Sequence, residues 1–279
     1  MSGVLLLNKP SGMTSFTAAN RCRHILQEKK AGHTGTLDPQ ASGLMIILIG
    51  SCTKLAPYAV CDHKVYHAGF SFGKETDTGD IWGTVLNEKE PAEHSLEEAQ
   101  EAAKLLTGDI MQVPPMYSAV HQDGKKLYEL ARKGKVVERK ARPAHVDWIR
   151  VGKTAQGWTM DASVSSGTYI RTLITDLGTS LGEYAIMTSL VRESIEGMAL
   201  AEAQSLEEIE QEPHWIDPMR ILRPGLKTLE AADPEKVKHG MTIDLPCNEE
   251  HVILTFEGTI LAAYERRGDG HYHCERGLL

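Results

Sequence analysis

Apolar residues along the chain follow the spacings that distinguish strands from helices. Residues 44–49 form an unbroken apolar run of strand length, and residues 64–72 alternate apolar and polar side chains. The other strands predicted before residue 224 are 4–7, 146–151, 158–165 and 185–195, and residues 116–121 are predicted to be extended. The chain is therefore predicted to be rich in strands.

Helices are predicted where capping residues precede apolar residues at helical spacing. Thr14 or Ser15 can cap a helix that reaches Leu26, and Ser95 with Glu98 has the spacing of a capping box for a helix through residue 106. Three more predicted helices cover residues 126–133, residues 170–178 and a capped segment that begins at residue 205.

The order of these elements indicates the fold class. Strands come in runs with helices between them and without regular β-α-β alternation, which is typical of an α+β fold with a mixed or antiparallel sheet. A break near residues 223–225 precedes a strand-rich segment, with predicted strands at 252–256, 259–264 and 271–274. We therefore predict a domain of residues 1–224, whose central sheet is flanked by helices, and a small β-rich module of residues 225–279.

Length and composition are those of a soluble globular protein. The chain has 279 residues, of which 41% are hydrophobic and 24% are charged. Its longest apolar run is far too short to span a bilayer, and the N-terminus lacks the charged region and cleavage site of a signal peptide. We therefore expect a cytoplasmic protein with no membrane partner.

Cysteine usage gives little support for a disulfide framework. The five cysteines are odd in number and form no C-x-x-C pair, which favours free thiols: Cys22, Cys52, Cys61, Cys247 and Cys274. Residues 271–274, His-Tyr-His-Cys, have metal-ligating side chains. Alternation along a terminal strand explains them more simply, since no second ligand cluster has suitable spacing, and we expect no metal.

Charge is distributed unevenly along the chain. The net charge of −8 argues against nucleic-acid binding, yet the segment 125–142 holds eight basic residues and two acidic ones. Because local potential steers a polyanion, this basic patch (residues 125–142) is compatible with RNA. It is equally compatible with a solvated helix and loop whose lysines serve solubility.

The most informative segment is residues 32–43, Gly-His-Thr-Gly-Thr-Leu-Asp-Pro-Gln-Ala-Ser-Gly, called the Asp38 loop below. Its glycines allow the backbone to approach a ligand closely, and Asp38 is its single formal charge. The predicted buried strand 44–49 follows directly, and a rigid element of this kind can hold a reactive side chain still. Asp38 is either such a catalytic carboxylate or a turn residue that bonds its own backbone.

A second segment, residues 165–171, offers a partner for Asp38. Tyr169 and Arg171 lie two residues apart at a predicted strand-to-helix junction, where an arginine can pair with a carboxylate and keep it ionised. A surface arginine near a helix start is the alternative. The sequence has no P-loop, no G-x-G-x-x-G after a strand and no G-x-S-x-G nucleophile motif.

The Asp38 loop, together with Thr53-Lys54, resembles the signature of the TruB-type bacterial tRNA pseudouridine synthases. Five further blocks share this resemblance and occur in the family's order: Asn8-Lys9-Pro10, Lys64-Val65-Tyr66, residues 76–80, residues 115–128 and residues 167–171. The resemblance implies a pseudouridine-synthase catalytic domain that converts the T-loop uridine of tRNA, conventional position 55, to pseudouridine without a metal or an organic cofactor.

The resemblance also implies a role for individual residues. Asp38 matches the catalytic aspartate, Tyr66 the tyrosine that stacks on the flipped uracil, and Arg171 the arginine that pairs with the aspartate. The implied substrate-binding residues are His33, which occupies the space left by the flipped base, and Tyr169, Leu190, Lys9 and Asp80. The tRNA backbone would rest on the basic patch, and the candidates there are Lys125, Lys126 and Lys133.

The C-terminus departs from the family pattern, because many members end in a clear PUA-type RNA-binding domain. Residues 225–279 are compatible with a shortened PUA-like module that either contacts the acceptor stem or packs against the catalytic domain. We expect a monomer that needs no protein partner. Two other functions stay open: an RNA-binding or tRNA-folding module without chemistry, and a guide-RNA-dependent relative, which the lack of extra terminal segments disfavours.

Overall fold

The computed structural model describes residues 2–60, 62–122 and 124–278. The strands in these ranges are β1 (Gly3–Lys9), β2 (Ala31–Thr34), β3 (Ser42–Ile49), β4 (His63–Phe72), β5 (Lys74–Thr76), β6 (Val85–Glu88), β7 (Gly108–Gln112), β8 (His121–Gln122), β9 (Lys125–Lys126), β10 (Arg142–Thr154), β11 (Gly157–Ser165), β12 (Ala185–Ile195), β13 (Met198–Ala199), β14 (Trp215–Ile216), β15 (Lys227–Glu230), β16 (His251–Phe256), β17 (Thr259–Arg266) and β18 (Tyr272–Gly277). The α-helices are α1 (Ser15–Ile25), α2 (Leu96–Lys104), α3 (Leu127–Ala131), α4 (Ile170–Ser180), α5 (Leu206–Gln211) and α6 (Pro234–Lys238). Segments of 3₁₀ helix cover Gly50–Tyr58, Leu200–Glu202 and Pro218–Ile221. Within the described ranges, no helix has the length and apolar character needed to cross a membrane.

Most of the predicted elements are confirmed. The six strands predicted before residue 224 correspond to β1, β3, β4, β10, β11 and β12, and the five predicted helices correspond to α1–α5. The predicted capping box of α2 is present, since Ser95 Oγ accepts from Glu98 N and Ser95 N donates to Glu98 Oε2. The α+β class and the β-rich C-terminal segment are confirmed as well.

The extended conformation predicted for residues 116–121 is wrong for its first part. Residues 116–119 form bends, and the strand begins only at His121. A side chain uses the backbone of this segment, because Tyr117 O accepts a hydrogen bond from Arg171 Nη2 at 2.9 Å. Tyr117 O thus bonds to a side chain rather than to a neighbouring strand. A contact between residues 54 positions apart cannot be read from the local sequence.

The described residues form two compact units: unit 1 contains 2–39, 43–60 and 200–278, and unit 2 contains 40–42, 62–122 and 124–199. In unit 1, β3 pairs antiparallel with β1 and β2, and β14 pairs with β1. The apolar run 44–49 lies in β3, and each of its side chains is 0% exposed. Burial of such a side chain stabilises a fold by about 1.5–3 kcal/mol. The strand that follows the Asp38 loop is therefore firmly anchored.

The C-terminal segment forms its own sheet within unit 1, in the order β15-β16-β17-β18. β15 is parallel to β16 and the other pairs are antiparallel. Its core contains the fully buried side chains of Val252, Leu254 and Tyr264. Lys54 Nζ, on the first 3₁₀ helix, donates to Gly277 O at 2.7 Å, so this sheet contacts the segment that follows β3. The domain boundary at residues 224/225 stays a prediction.

The main sheet of unit 2 is antiparallel, in the order β12-β4-β11-β10-β7. The alternation predicted for residues 64–72 is confirmed in β4, because Lys64, Tyr66, Ala68 and Phe70 are each at most 8% exposed and share one face. Helix α2 contacts β10, and α4 contacts β12. This buried face carries two of the predicted site residues, Tyr66 and Leu190.

A row of histidines and aspartates lies on the more exposed face of the same sheet. His145 Nδ1 lies 2.7 Å from Asp109 Oδ1, and this hydrogen bond raises the pKa of His145. Ser163 Oγ donates to Asp147 Oδ2 at 2.7 Å, which lowers the pKa of Asp147. The stabilisation from His145 is complete below its ordinary pKa of 6.5 and is lost as the pH rises through the raised value. The stabilisation from Asp147 is present above 3.8 and is lost as the pH falls through the lowered value.

We expect His145→Gln to lower the free energy of unfolding more at pH 6 than at pH 9. The reason is that only the protonated imidazole gains from the Asp109 carboxylate. Urea unfolding at both pH values measures the difference. His214→Gln is the control, because His214 is an exposed histidine outside this row. An equal loss at both pH values would contradict the expectation.

Candidate active site

Two hydrogen bonds hold the residue that precedes Asp38. Ser15 Oγ, at the start of α1, accepts from Leu37 N at 2.8 Å and donates to Leu37 O at 3.0 Å. The side chains of Ser15 and Leu37 are both buried. Helix α1 begins at this point because Thr14 Oγ1 accepts from Thr17 N and caps it. The capped helix start therefore fixes the backbone one residue before Asp38.

The residue that follows Asp38 is held as well. Pro39 O accepts hydrogen bonds from Gly12 N at 2.9 Å, from Met13 N at 3.1 Å and from Lys9 Nζ at 3.2 Å. Asp38 is half-buried between these two anchored neighbours. Since it precedes a proline, its own backbone also disfavours the helical region. The Asp38 carboxylate is thus presented from a fixed stretch of backbone.

Lys9 is a fully buried cation at the end of β1. Its ammonium donates to Pro10 O at 2.8 Å and Met13 O at 2.7 Å, in addition to the Pro39 carbonyl. A buried charge destabilises a fold unless hydrogen bonds compensate it, and backbone dipoles do so here. Lys9 therefore ties the turn after β1 to the Asp38 loop. Its contact with substrate stays a prediction.

His33 and Gly35 form the other end of the Asp38 loop. His33 is half-buried on β2, opposite Ile47 of β3. Gly35 has φ +74°, a left-handed conformation that side chains disfavour. This glycine lets the chain leave β2 and turn into the segment that carries Asp38. The role of His33 beside a flipped base stays a prediction.

Tyr66 and Leu190 lie on the buried face of the unit 2 sheet. Tyr66 is paired with Ala162 of β11 and Arg192 of β12, and Leu190 is paired with Ala68. Paired residues of antiparallel strands project from the same face, so Tyr66, Leu190 and Arg192 are neighbours. Their exposed fractions are 8%, 7% and 0%. The structure therefore brings two of the predicted residues together in unit 2.

Two buried cations on this face were not among the predicted site residues. Arg192 is 0% exposed and Lys64 is 5% exposed, and Lys64 Nζ donates to Ser166 Oγ at 3.2 Å. The sequence held a signal for Lys64, because the alternation that buries Tyr66 also buries the residue two positions earlier. Lysine and arginine are almost never fully buried without a partner, so such a position indicates a polar site.

Arg171, in the first turn of α4, is 4% exposed and joins three segments of unit 2. Its Nη1 donates to Thr78 O at 2.8 Å and its Nη2 to Tyr117 O at 2.9 Å. Its Nη1 also lies 4.0 Å from Asp80 Oδ2. Arg171 and Asp80, which come from separate sequence blocks, are thus brought together. The pairing of Arg171 with Asp38 stays a prediction.

Asp80 is oriented by hydrogen bonds within its own segment. Its Oδ1 accepts from Thr78 Oγ1 at 2.6 Å and from Trp82 N at 3.1 Å. These two bonds leave Oδ2 directed to the Arg171 guanidinium. A carboxylate held this way orients the arginine that the catalytic proposal requires.

Tyr169 is positioned by a residue that the sequence did not reveal. Gln112, at the end of β7, is 3% exposed, and its Oε1 accepts from Tyr169 N at 2.8 Å. Its Nε2 donates to Tyr169 O at 3.1 Å. The side-chain amide therefore satisfies both backbone groups of Tyr169, which is the extended N-cap residue of α4. A lone glutamine carries no motif that would have indicated this role.

The basic patch has the exposure that contact with a polyanion requires. Lys125 and Lys133 are exposed and Lys126 is partly buried, around the short helix α3. Lys126 Nζ lies 5.8 Å from the ring centre of Tyr128, and Arg132 Cζ lies 5.3 Å from it. Their contact with RNA stays a prediction.

Cys22, Cys52, Cys247 and Cys274 are free thiols, and Cys61 lies outside the described residues. Burial raises the pKa of Cys22 to about 12, so this thiol is unreactive at neutral pH. The two histidines of residues 271–274 each bond to an aspartate. His271 Nδ1 lies 2.6 Å from Asp244 Oδ1, and His273 Nε2 lies 2.9 Å from Asp269 Oδ2.

One group in the described part of the chain has ligand atoms close enough for a metal ion: Glu250, His251 and Glu265, all within 4.8 Å of one another. His251 Nδ1 also lies 3.3 Å from Glu275 Oε2, so a carboxylate can neutralise this imidazole without a metal. His251, Glu265 and Glu275 belong to the C-terminal sheet and Glu250 directly precedes β16, so none of them lies in the segments that carry the predicted catalytic residues.

Comparison with known proteins gives consistent results. Residues 23–170 match the family model described as TruB family pseudouridylate synthase (N terminal domain). The chain is 38% identical over 284 residues to tRNA pseudouridine synthase B of Lactobacillus johnsonii, covering 96% of this chain and 95% of that protein. It is 44% identical over 208 residues to tRNA pseudouridine synthase B of Neisseria meningitidis, covering 74% and 68%.

Solved structures agree on the fold. A chain in the crystal structure of a Cbf5-Nop10-Gar1 complex has a TM-score of 0.71 at 20% identity, covering 99% of this chain and 85% of that one. The fold and the sequence matches together define a pseudouridine synthase, which is an isomerase. The chain belongs to the TruB family of pseudouridylate synthases.

Proposed function

We propose that this enzyme isomerises the T-loop uridine of tRNA, conventional position 55, to pseudouridine, with Asp38 as the catalytic carboxylate. The observation that carries the proposal is the anchored Asp38, since hydrogen bonds hold the backbone of Leu37 on one side and of Pro39 on the other. The relatives named tRNA pseudouridine synthase B support the substrate class.

The reaction requires the uridine to leave the stacked loop, because its C1′–N1 bond must break and a C1′–C5 bond must form. Extruding a nucleotide costs a few kcal/mol, and stacking on aromatic side chains offsets about 1–3 kcal/mol of this. Tyr66 is the proposed stacking partner of the flipped uracil, and Tyr169 and Leu190 are proposed to line its pocket. His33 would occupy the space that the base vacates.

Asp38 can act by three routes, and each converts uridine to an isomer with the same atoms. Its carboxylate attacks C6 of the ring, attacks C1′ of the sugar, or assists loss of a ribose proton to give a glycal. In each, the C1′–N1 bond breaks, and the uracil rotates and rejoins C1′ through C5. The bond from Asp38 to C6 or C1′ is then broken again, or in the glycal route the proton is returned to C2′. The C5 proton passes to solvent, and N1 takes up a proton. All three need an ionised carboxylate, which the proposed pairing with the Arg171 guanidinium favours.

The test is tritium release by the purified chain alone from a T-arm RNA that contains 5-tritiated uridine. We expect release of one tritium per RNA, and none from an RNA whose only tritiated uridines lie in the stem. Activity without added protein or guide RNA would support a self-sufficient enzyme, and sedimentation tests the proposed monomer. Binding without tritium release would instead support the RNA-folding alternative.

Neutralising the basic patch is expected to weaken RNA binding and flatten its salt dependence. If Lys125, Lys126 and Lys133 each contact a phosphate, their joint replacement by alanine lowers the slope of log K against log salt by about 2. Fluorescence anisotropy with labelled T-arm RNA measures the slope. The charge-matched control replaces Lys29, Lys74 and Lys104 by alanine. If the patch variant and this control had the same slope of log K against log salt, the patch would not contact RNA.

A further inference from the structure

A cluster of ionisable side chains on the C-terminal sheet has no part in the proposed reaction. Ligand atoms of Glu250, His251 and Glu265 all lie within 4.8 Å of one another. His251 Nδ1 lies 3.3 Å from Glu275 Oε2. These four residues are called the His251 cluster below. They combine one imidazole with three carboxylates, and both kinds of group are ligands of transition-metal ions.

The backbone of the sheet holds the cluster in place. His251 of β16 is paired with Glu265 of β17, and paired residues of antiparallel strands project from the same face. Glu250 O accepts a hydrogen bond from Arg266 N at 2.8 Å, so the residue that precedes β16 is held as well. Glu275 comes from the next strand, β18. The cluster is therefore assembled on paired strands rather than on a single loop.

The His251 cluster has an excess of negative charge. Arg267 Nε lies 3.5 Å from Glu265 Oε2 and offsets one carboxylate. With the imidazole neutral, as a metal ligand must be, the three carboxylates and the Arg267 guanidinium leave a net charge of −2. Because carboxylates this close repel one another, one divalent cation bound among them would be stabilising.

Two buried polar atoms beside Glu275 form no hydrogen bond with the described residues. The first is the hydroxyl of Tyr58, a residue of the first 3₁₀ helix that is 6% exposed, and the second is His251 Nδ1. Burial and the adjacent Glu275 carboxylate raise the pKa of Tyr58, so its hydroxyl keeps its proton. A buried donor without an acceptor destabilises a fold. A small movement of Glu275 would satisfy both atoms, and metal sites hold their outer carboxylates and imidazoles in this way.

We propose that Glu250, His251 and Glu265 bind a divalent transition-metal ion such as Zn²⁺, and that Glu275 orients the imidazole through Nδ1. Zinc holds nitrogen and oxygen ligands at about 2.0–2.2 Å, which places them about 3.4 Å apart in a tetrahedron. Ligand atoms that already lie within 4.8 Å of one another therefore need to move inward by only about 1 Å. The Tyr58 hydroxyl donates to Glu275 in this arrangement.

The ion has a structural role, because no predicted catalytic residue lies in these segments. It joins the end that precedes β16 to β17 and, through Glu275, to β18 and the 3₁₀ helix that carries Tyr58. The proposal does not rest on the proposed function. Its tests measure binding and stability, and neither depends on the isomerisation.

The first test titrates ZnCl₂ into the purified full chain, after metal removal with EDTA, by isothermal titration calorimetry. We expect one site per chain. His251→Gln and Glu265→Gln should each weaken binding about 100-fold, and Glu275→Gln about tenfold, as loss of an outer partner does. Arg267→Gln should tighten binding about two- to fivefold, because it removes a cation that competes for Glu265. Far-UV circular dichroism checks that each variant is folded.

His271→Gln is the matched control, because His271 is an exposed histidine of the segment 271–274 and bonds to Asp244 instead. It should bind Zn²⁺ like the wild type. An equal concentration of MgCl₂ should not compete, since Mg²⁺ prefers an octahedral set of oxygen ligands.

Urea unfolding gives an independent measurement. The unfolding midpoint of the wild type should rise with the Zn²⁺ concentration, and that of His251→Gln should not, because only a protein that binds the ion in its folded state is stabilised. Three results would each overturn the proposal: no saturable Zn²⁺ binding by the wild type, a loss of binding confined to His271→Gln, or equal competition by Mg²⁺.

Discussion

Asp38→Asn is expected to lower kcat for tritium release by about 10⁴-fold or more, as removal of a catalytic nucleophile does in other enzymes. The substitution replaces one carboxylate oxygen with an amide nitrogen, so the side chain keeps its shape and loses its negative charge. Asparagine can neither attack the nucleoside nor take a ribose proton. Every route proposed for the reaction therefore stops at its first step.

The same variant should keep its fold and its affinity for T-arm RNA. The bonds that anchor the loop involve the backbones of Leu37 and Pro39 and the Ser15 and Lys9 side chains, none of which changes. Anisotropy and thermal unfolding check both properties. Asp109→Asn is the matched control, because Asp109 is an aspartate on the exposed face of the unit 2 sheet, in the His145 row. Full activity of Asp38→Asn would refute the catalytic assignment.

The second large effect is expected at Arg171. Arg171→Met should lower kcat by about 10³-fold, within the range for loss of a group that stabilises a catalytic charge. It also removes the donors to Thr78 O and Tyr117 O, and hydrogen bonds to a charged group contribute about 1.5–3 kcal/mol each. We therefore expect the free energy of unfolding to fall together with the activity.

Arg171→Lys separates the electrostatic role from the structural one. Lysine keeps the positive charge near Asp80 but lacks the fork that reaches two carbonyl oxygens. We expect it to recover much of kcat while stability stays below that of the wild type, as measured by tritium release and urea unfolding. If both variants lost activity only in proportion to the unfolded fraction, Arg171 would be a structural residue without a catalytic role.

Local patterns predicted much of the fold because they depend on short spacings. Alternation in residues 64–72 was sufficient to place Tyr66 on a buried face, and the spacing of Ser95 and Glu98 was sufficient to start α2. Residues 116–121 show the limit of this reasoning. They were predicted to be extended, yet residues 116–119 form bends, and Tyr117 O accepts a long-range hydrogen bond from Arg171.

The candidate site shows the same division. Ordered motifs were sufficient to select Asp38, Tyr66, Tyr169 and Arg171, since each lies in a block with its own spacing. The sequence does not indicate Gln112, because a single glutamine has no motif and its role rests on two hydrogen bonds to Tyr169. Lys64 belongs to the Lys64-Val65-Tyr66 motif, but its hydrogen bond to Ser166 depends on the folded sheet.

By itself, the sequence determined the family, the strands of six or more residues, the first five α-helices and the identity of the loop aspartate. These follow from residue types and from spacings of a few positions. Only the tertiary structure decided which hydrogen bonds hold the site residues in place. Ser15 bonds to Leu37 across 22 residues. Gln112 bonds to Tyr169 across 57 residues, and Arg171 bonds to Thr78 across 93. Such contacts depend on strand register and helix packing, which bring distant residues together without leaving a periodic trace in the chain.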